Sequence, residues 1–127
     1  MGNLSEHFSA HEFACKCGRC QYSTDPQMDP HLIEALEWLR AWLGGHPLMI
    51  NSGRRCLAHN AAIGGEIRSQ HLAGKAADIP PPQGWTPETM RDAARELDSF
   101  HGLGLYNTFV HLDVRDGTRI EWDKRTH

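Results

Sequence analysis

The 127-residue sequence has no basic run, and its formal net charge is -3, from 13 Lys and Arg against 16 Asp and Glu. A chain that grips nucleic acid needs a basic patch or stripe, so nucleic acid is not an expected partner. No apolar run approaches the roughly 18 residues that a membrane span requires, so no membrane role is expected. The opening Met1-Gly2-Asn3-Leu4-Ser5-Glu6 lacks the charged and apolar regions of a secretory signal, and Glu6 stands where N-myristoylation wants Ser or Thr. The expectation is a chain made in the cytoplasm without a signal peptide. Internal repeats and low-complexity linkers are missing too. So is a complete His-Glu-x-x-His: His11-Glu12 begins one, but Cys15 stands where the second histidine belongs. His7 and His11 share a four-residue spacing in a stretch with little helical pattern, a weak basis for a ligand pair. No Cys-x-x-Cys opens a helix, which argues against a thiol redox module.

What is present is ordinary for a globular chain, with 39% hydrophobic and 23% charged residues. The length fits one domain over residues 1–127, expected as a monomer, with residues 1–28 a loop-rich, cysteine-bearing segment packed on it. Asp29-Pro30 reads as an N-cap followed by proline at the first helical position. Leu32, Leu36, Leu39 and Leu43 continue as one helical stripe, which Gly44-Gly45 ends. Thr86-Pro87 starts a second such helix with Met90, Ala93, Ala94 and Leu97 on its inner face, and residues 56–63 suit a short one. Strands are expected at Leu48–Ile50, Ala76–Ile79, Leu103–Tyr106 and Phe109–Val114. Asp116-Gly117 signals a hairpin returning through Thr118 to Trp122. The mixture lacks a regular βαβ rhythm, which predicts an α+β fold with a small, largely antiparallel sheet and flanking helices.

The chemistry concentrates in two stretches. Ser69 to Asp78 holds His71 and Asp78 seven residues apart, with Gly74 and Ala76-Ala77 keeping the backbone slim between loop and strand. His111-Leu112-Asp113 lies on a later strand, where the two-residue period puts His111 and Asp113 on one face. A hydrolytic zinc takes three ligands from His, Asp, Glu or Cys and keeps a position for water. His71, Asp78 and one of His111 and Asp113 can supply them, leaving the other to handle water or orient a ligand.

Ser69-x-His71-x-x-Gly74-x-Ala76-x-Asp78 matches at every fixed position a motif of the zinc D-Ala-D-Ala peptidase family, which includes VanX-like dipeptidases and phage L-alanyl-D-glutamate endolysins and shares its core with hedgehog domains. Ser52-Gly53-Arg54-Arg55 resembles that family's Ser-Gly-Tyr-Arg, and Gly104-Leu-Tyr106 precedes Phe109-Val-His111-Leu-Asp113. The resemblance covers roughly residues 30–122 and is nearest the small phage-type branch. It implies a hedgehog/DD-peptidase-like fold and a zinc peptidase acting on peptidoglycan peptides, as carboxypeptidase or endopeptidase, on the cell wall after release or as a virion component. It makes His71, Asp78 and His111 the zinc ligands and Arg55 a substrate-facing catalytic cation. Ser69 is a substrate-binding candidate that, with Gln70, reads as shaping the loop. Many members carry an acidic base three residues before the last zinc histidine, a place held here by Thr108. That leaves Asp113 as the expected general base. The same departure sustains an alternative, a non-catalytic, zinc-stabilised virion or wall-peptide-binding module.

Cys15, Cys17, Cys20 and Cys56 are not yet absorbed. Together they suit a structural zinc knuckle, with free thiols and disulfides the other states. Trp38, Trp42 and Trp85 read as core or rim, Trp122 as the cap of the final hairpin, and His59-Asn60 as cleft or helix surface.

Overall fold

The computed structural model describes residues 2–126. Short 3-10 turns at Ala10–Phe13 and Gln21–Ser23 precede helix α1 (Pro30–Trp42) and helix α2 (Leu57–Ala62). A third 3-10 turn, Gln70–Ala73, leads into strand β1 (Ala76–Ile79). Helix α3 (Pro87–Arg95) is followed by β2 (Gly102–Leu105), β3 (Val110–Asp113) and β4 (Ile120–Asp123).

Both long helices start as their caps dictate. The Asp29 side chain accepts from the His31 amide at 2.7 Å ahead of Pro30, and Thr86 and Thr89 close a reciprocal capping box ahead of α3. Leu32, Leu36, Leu39 and Leu43 are fully buried, as are Met90 and Ala94. The sheet alternates with equal clarity. Ala77, Ile79, Leu103, Leu105, Val110 and Leu112 join the helices in one apolar core. Asp78, His111 and Asp113, the intervening residues, take the opposite face. Phe8 and Phe13 are buried in that same core, so the N-terminal segment is part of it rather than an appendage.

Strand order is β1-β3-β2-β4, with β1/β3 and β2/β3 antiparallel and β2/β4 parallel. The fold is α+β, and two strand expectations are corrected within it. The Asp116-Gly117 turn makes no hairpin, because β3 already has neighbours on both sides. The chain therefore crosses to the open edge of β2, where Gly102 lies opposite Ile120 and Leu105 opposite Asp123. Arg119 fixes the crossing by donating to the carbonyls of Arg95, Leu97 and Phe100. Leu48–Ile50 forms no strand. Only the next residues reach the sheet, through Asn51 N–H to Asp78 O at 2.8 Å and Asp78 N–H to Ser52 O at 2.9 Å. Trp38 and Trp42 stay largely exposed at the rim, while Trp85 packs against the core.

Candidate functional site

Asp78 and His111 face one another across the β1/β3 pair, so the sheet register alone brings a carboxylate and an imidazole together. His71 reaches them from the 3-10 turn, whose first amides are capped by Ser69: its hydroxyl accepts from the His71 N–H at 3.2 Å. Gly74 ends the turn at φ 72° and sends the chain directly into β1. His71 Nε2 and His111 Nδ1 each lie 3.1 Å from Asp78 Oδ1, and all three side chains are buried.

The far nitrogens of both rings are occupied. His71 Nδ1 donates to Gly53 O at 2.7 Å, and His111 Nε2 donates to Asp113 Oδ2 at 2.6 Å. This second layer fixes which nitrogen of each ring points inward, the arrangement a metal-ligating histidine requires. Two nitrogens and one carboxylate oxygen, all within 4.8 Å of one another, form a donor set that fits a zinc ion. Burial works to raise the pKa of Asp78, but hydrogen bonds from His111 and His71 outweigh it and hold the carboxyl well below the usual range. His111 shifts the other way. Its burial is outweighed by the hydrogen bonds to Asp113 and Asp78, which raise it.

Asp113 is not placed to be the general base. Its side chain is fully buried and accepts four hydrogen bonds, from His111 Nε2 and from the Arg115 N–H, Nε and guanidinium NH2. It shares a face with His111, as the two-residue period requires, but the imidazole ring lies between it and Asp78. Gly102, directly opposite on β2, clears the space: a methyl group there would overlap the Asp113 carboxylate. Asp113 is a positioning residue for His111.

His71, Asp78 and His111 lie in an open cleft of about 930 Å³. Arg55 reaches it as expected, but its guanidinium is also a structural clamp. It donates to Ser52 Oγ, to Asn60 Oδ1 and to Asp78 Oδ2, each at 3.1 Å. Burial lowers its pKa from the ordinary arginine value, against the pull of Asp78. Asn60, of the pair read as cleft or helix surface, is buried and joins Arg55 to the next loop through its own bond to Glu66 O at 2.8 Å.

Several cleft residues carry no local sequence signal. Trp122 lies over His111 with ring centroids 5.1 Å apart and donates to the Tyr106 hydroxyl at 3.1 Å, so it is a wall of the cleft rather than a hairpin cap. Tyr106 stacks on Phe109 at 4.4 Å beside it. Arg115 and Lys124 line the cleft as well. Among the described residues, Glu66 is the one lining carboxylate besides Asp78. Thr108 is exposed and is not among the lining residues. His7 pairs with Glu37 at 2.7 Å, and neither His7 nor His11 joins a metal-competent group among the described residues.

The four cysteines also come together, as a separate group with their sulfurs within 4.8 Å of one another. A family model described as Peptidase M15 matches residues 6–113, which takes in all four cysteines and His71, Asp78 and His111 but stops short of Arg115, Ile120, Trp122 and Lys124. No curated protein matches the chain.

Proposed function

Because the chain belongs to the peptidase M15 family, a family of zinc-dependent metallopeptidases, we propose that it hydrolyses peptide bonds in peptidoglycan stem peptides or crosslinks. The observation that carries this reading is the character of the cleft above His71, Asp78 and His111. Among the described residues, Arg55, Arg68, Arg115 and Lys124 line it against Glu66 and Asp78, in a chain whose overall charge is -3. Ile63, Ile67 and Ile120 add exposed apolar surface to the same lining. A stem peptide offers what this surface takes, free carboxylates for the cations and alanine methyl groups for the isoleucines. The phage or prophage lysis setting, with action on the wall after release or as part of a virion, rests on the His111-Leu-Asp113 likeness to small phage endolysins.

A zinc ion held by His71, Asp78 and His111 would supply an activated water and polarise the scissile carbonyl. The protein's own groups do the rest. Gly53 O and Asp113 accept from the outer nitrogens of the two histidines, so the inner ones face Asp78 and are the ones placed to bind the ion. Arg55 holds Asp78 in place and has N–H groups to spare for a substrate carboxylate or a developing oxyanion. Glu66, a lining carboxylate not engaged by the histidines, would be the group to accept a proton from the water and pass it to the departing amine.

The alternative, a non-catalytic module that binds wall peptide, draws on the burial of Asp113, which leaves β3 without a free carboxylate, and on Thr108 in place of an acidic residue before it. Soluble stem peptides incubated with the zinc-loaded chain decide between them. Peptidase activity yields a new amine and a new carboxylate at one bond, identified by mass spectrometry and abolished in Asp78→Ala. Retention of intact peptide, with no cleavage at saturating zinc, would leave the binding module.

A further inference from the structure

The second metal-competent group is distinct from the first and owes nothing to the peptidase reading. Cys15, Cys17 and Cys20 come from the loop before α1, and Cys56 is the N-cap of α2. All four are free thiols. Four sulfurs at about 2.3 Å from one tetrahedral zinc would stand about 3.8 Å from each other. Here Cys56 Sγ and Cys17 Sγ are 3.9 Å apart, and the whole set falls within 4.8 Å. Disulfide bonding would need about 2.05 Å.

Backbone amides already point at three of the sulfurs. Arg19 N–H donates to Cys17 Sγ at 3.3 Å, His59 N–H to Cys56 Sγ at 3.4 Å and Cys56 N–H to Cys15 Sγ at 3.5 Å. Such donors stabilise sulfur that carries negative charge, which an apolar thiol cluster has no use for. Lys16 and Arg19 sit in the same loop as further compensation for an anionic centre.

We propose that Cys15, Cys17, Cys20 and Cys56 bind a structural zinc ion that fastens the N-terminal loop to the segment carrying Arg55. Binding is ligand exchange without redox change: each thiol gives its proton to solvent, and four thiolates replace the waters of the ion. With four sulfurs the coordination sphere is closed, so this ion does no chemistry. Its effect is mechanical. Arg54 N–H bonds to Phe13 O at 2.9 Å, Arg55 N–H bonds to His71 O at 3.1 Å, and Arg55 holds Asp78. A loop pinned at Cys56 therefore holds the residue on which one cleft ligand leans.

The test is metal content of the full chain by native mass spectrometry, with cobalt substitution as a second readout. Wild type should carry two zinc ions, and His71→Ala one. His71→Ala loaded with cobalt should keep an intense sulfur-to-cobalt charge-transfer band, while the Cys17→Ser, Cys20→Ser double variant should lose it. His71→Ala leaves every cysteine intact, so its result does not depend on whether the serine variant folds. A His71→Ala protein without zinc and without that band would overturn the proposal. Disulfides in the purified chain, or four thiols reacting freely with a thiol reagent in excess zinc, would do so too. Loss of hydrolysis in wild type with both ions present would sink the peptidase reading and leave this site standing.

Discussion

Asp113→Asn separates two roles that look alike in an activity assay. The substitution keeps an oxygen that can accept from His111 Nε2–H but presents an amide where Arg115 now donates through its N–H, Nε and NH2. Asparagine cannot satisfy both neighbours, so His111 loses part of the restraint that aims Nδ1 at Asp78. Loss of such an outer partner typically weakens metal binding about 10- to 100-fold, or about 1.4 to 2.8 kcal/mol. A buried polar group left unpaired adds destabilisation of about 1–3 kcal/mol. The assay is zinc competition against a chromophoric chelator, followed by turnover at saturating zinc. The expected result is weaker zinc binding and, once zinc is saturating, recovery of most turnover. Unchanged zinc affinity with turnover down a thousandfold would refute the positioning role and make Asp113 a proton carrier after all.

Four further outcomes follow from the same geometry. Glu66→Gln should lower kcat about 10²- to 10⁴-fold with zinc affinity unchanged, and wild-type kcat would remove it as the base. His71→Ala should lose the cleft metal, measured by elemental analysis, while far-ultraviolet circular dichroism stays native. Phe13→Ala should cost about 3–5 kcal/mol in urea unfolding, because this side chain is fully buried in the core; a change under 1 kcal/mol would mean that the N-terminal segment is dispensable to it. The last concerns acid. Burial of Glu37 tends to raise its pKa, but hydrogen bonds from Ser5 and His7 win and lower it. Its stabilising contribution is therefore complete above the unfolded carboxyl value near 4.3 and is lost as pH falls through the lower folded value. Acid titration of wild type against Glu37→Gln should show curves that converge below that range, and a constant gap down to the lowest pH would contradict the assignment.

The readable parts of the sequence were those whose causes are local. Asp29-Pro30 and Thr86-Pro87 announce helices because cap and proline act on the residues beside them. The apolar stripes say which faces are buried. That His71, Asp78 and His111 come together was legible because their motif spacing reflects one turn, one strand and one cross-strand pair. What escaped depends on distant neighbours. Asp116-Gly117 is a sound turn signal, but nothing near it shows that both edges of β3 are filled. The two-residue period places Asp113 on the face of His111 without showing that the imidazole would stand between it and Asp78. Glu66 follows Gly64-Gly65 in a loop without periodicity, and Trp122 enters the cleft only because β4 pairs with β2.

The most direct test of the account is digestion of purified peptidoglycan by the zinc-loaded chain, alongside Asp78→Ala, with mass spectrometry of the released fragments. The account predicts stem peptides cut at one defined bond by the wild type, and undigested wall in the variant. Intact peptidoglycan after incubation with a wild-type chain shown to hold zinc at His71, Asp78 and His111 would contradict it.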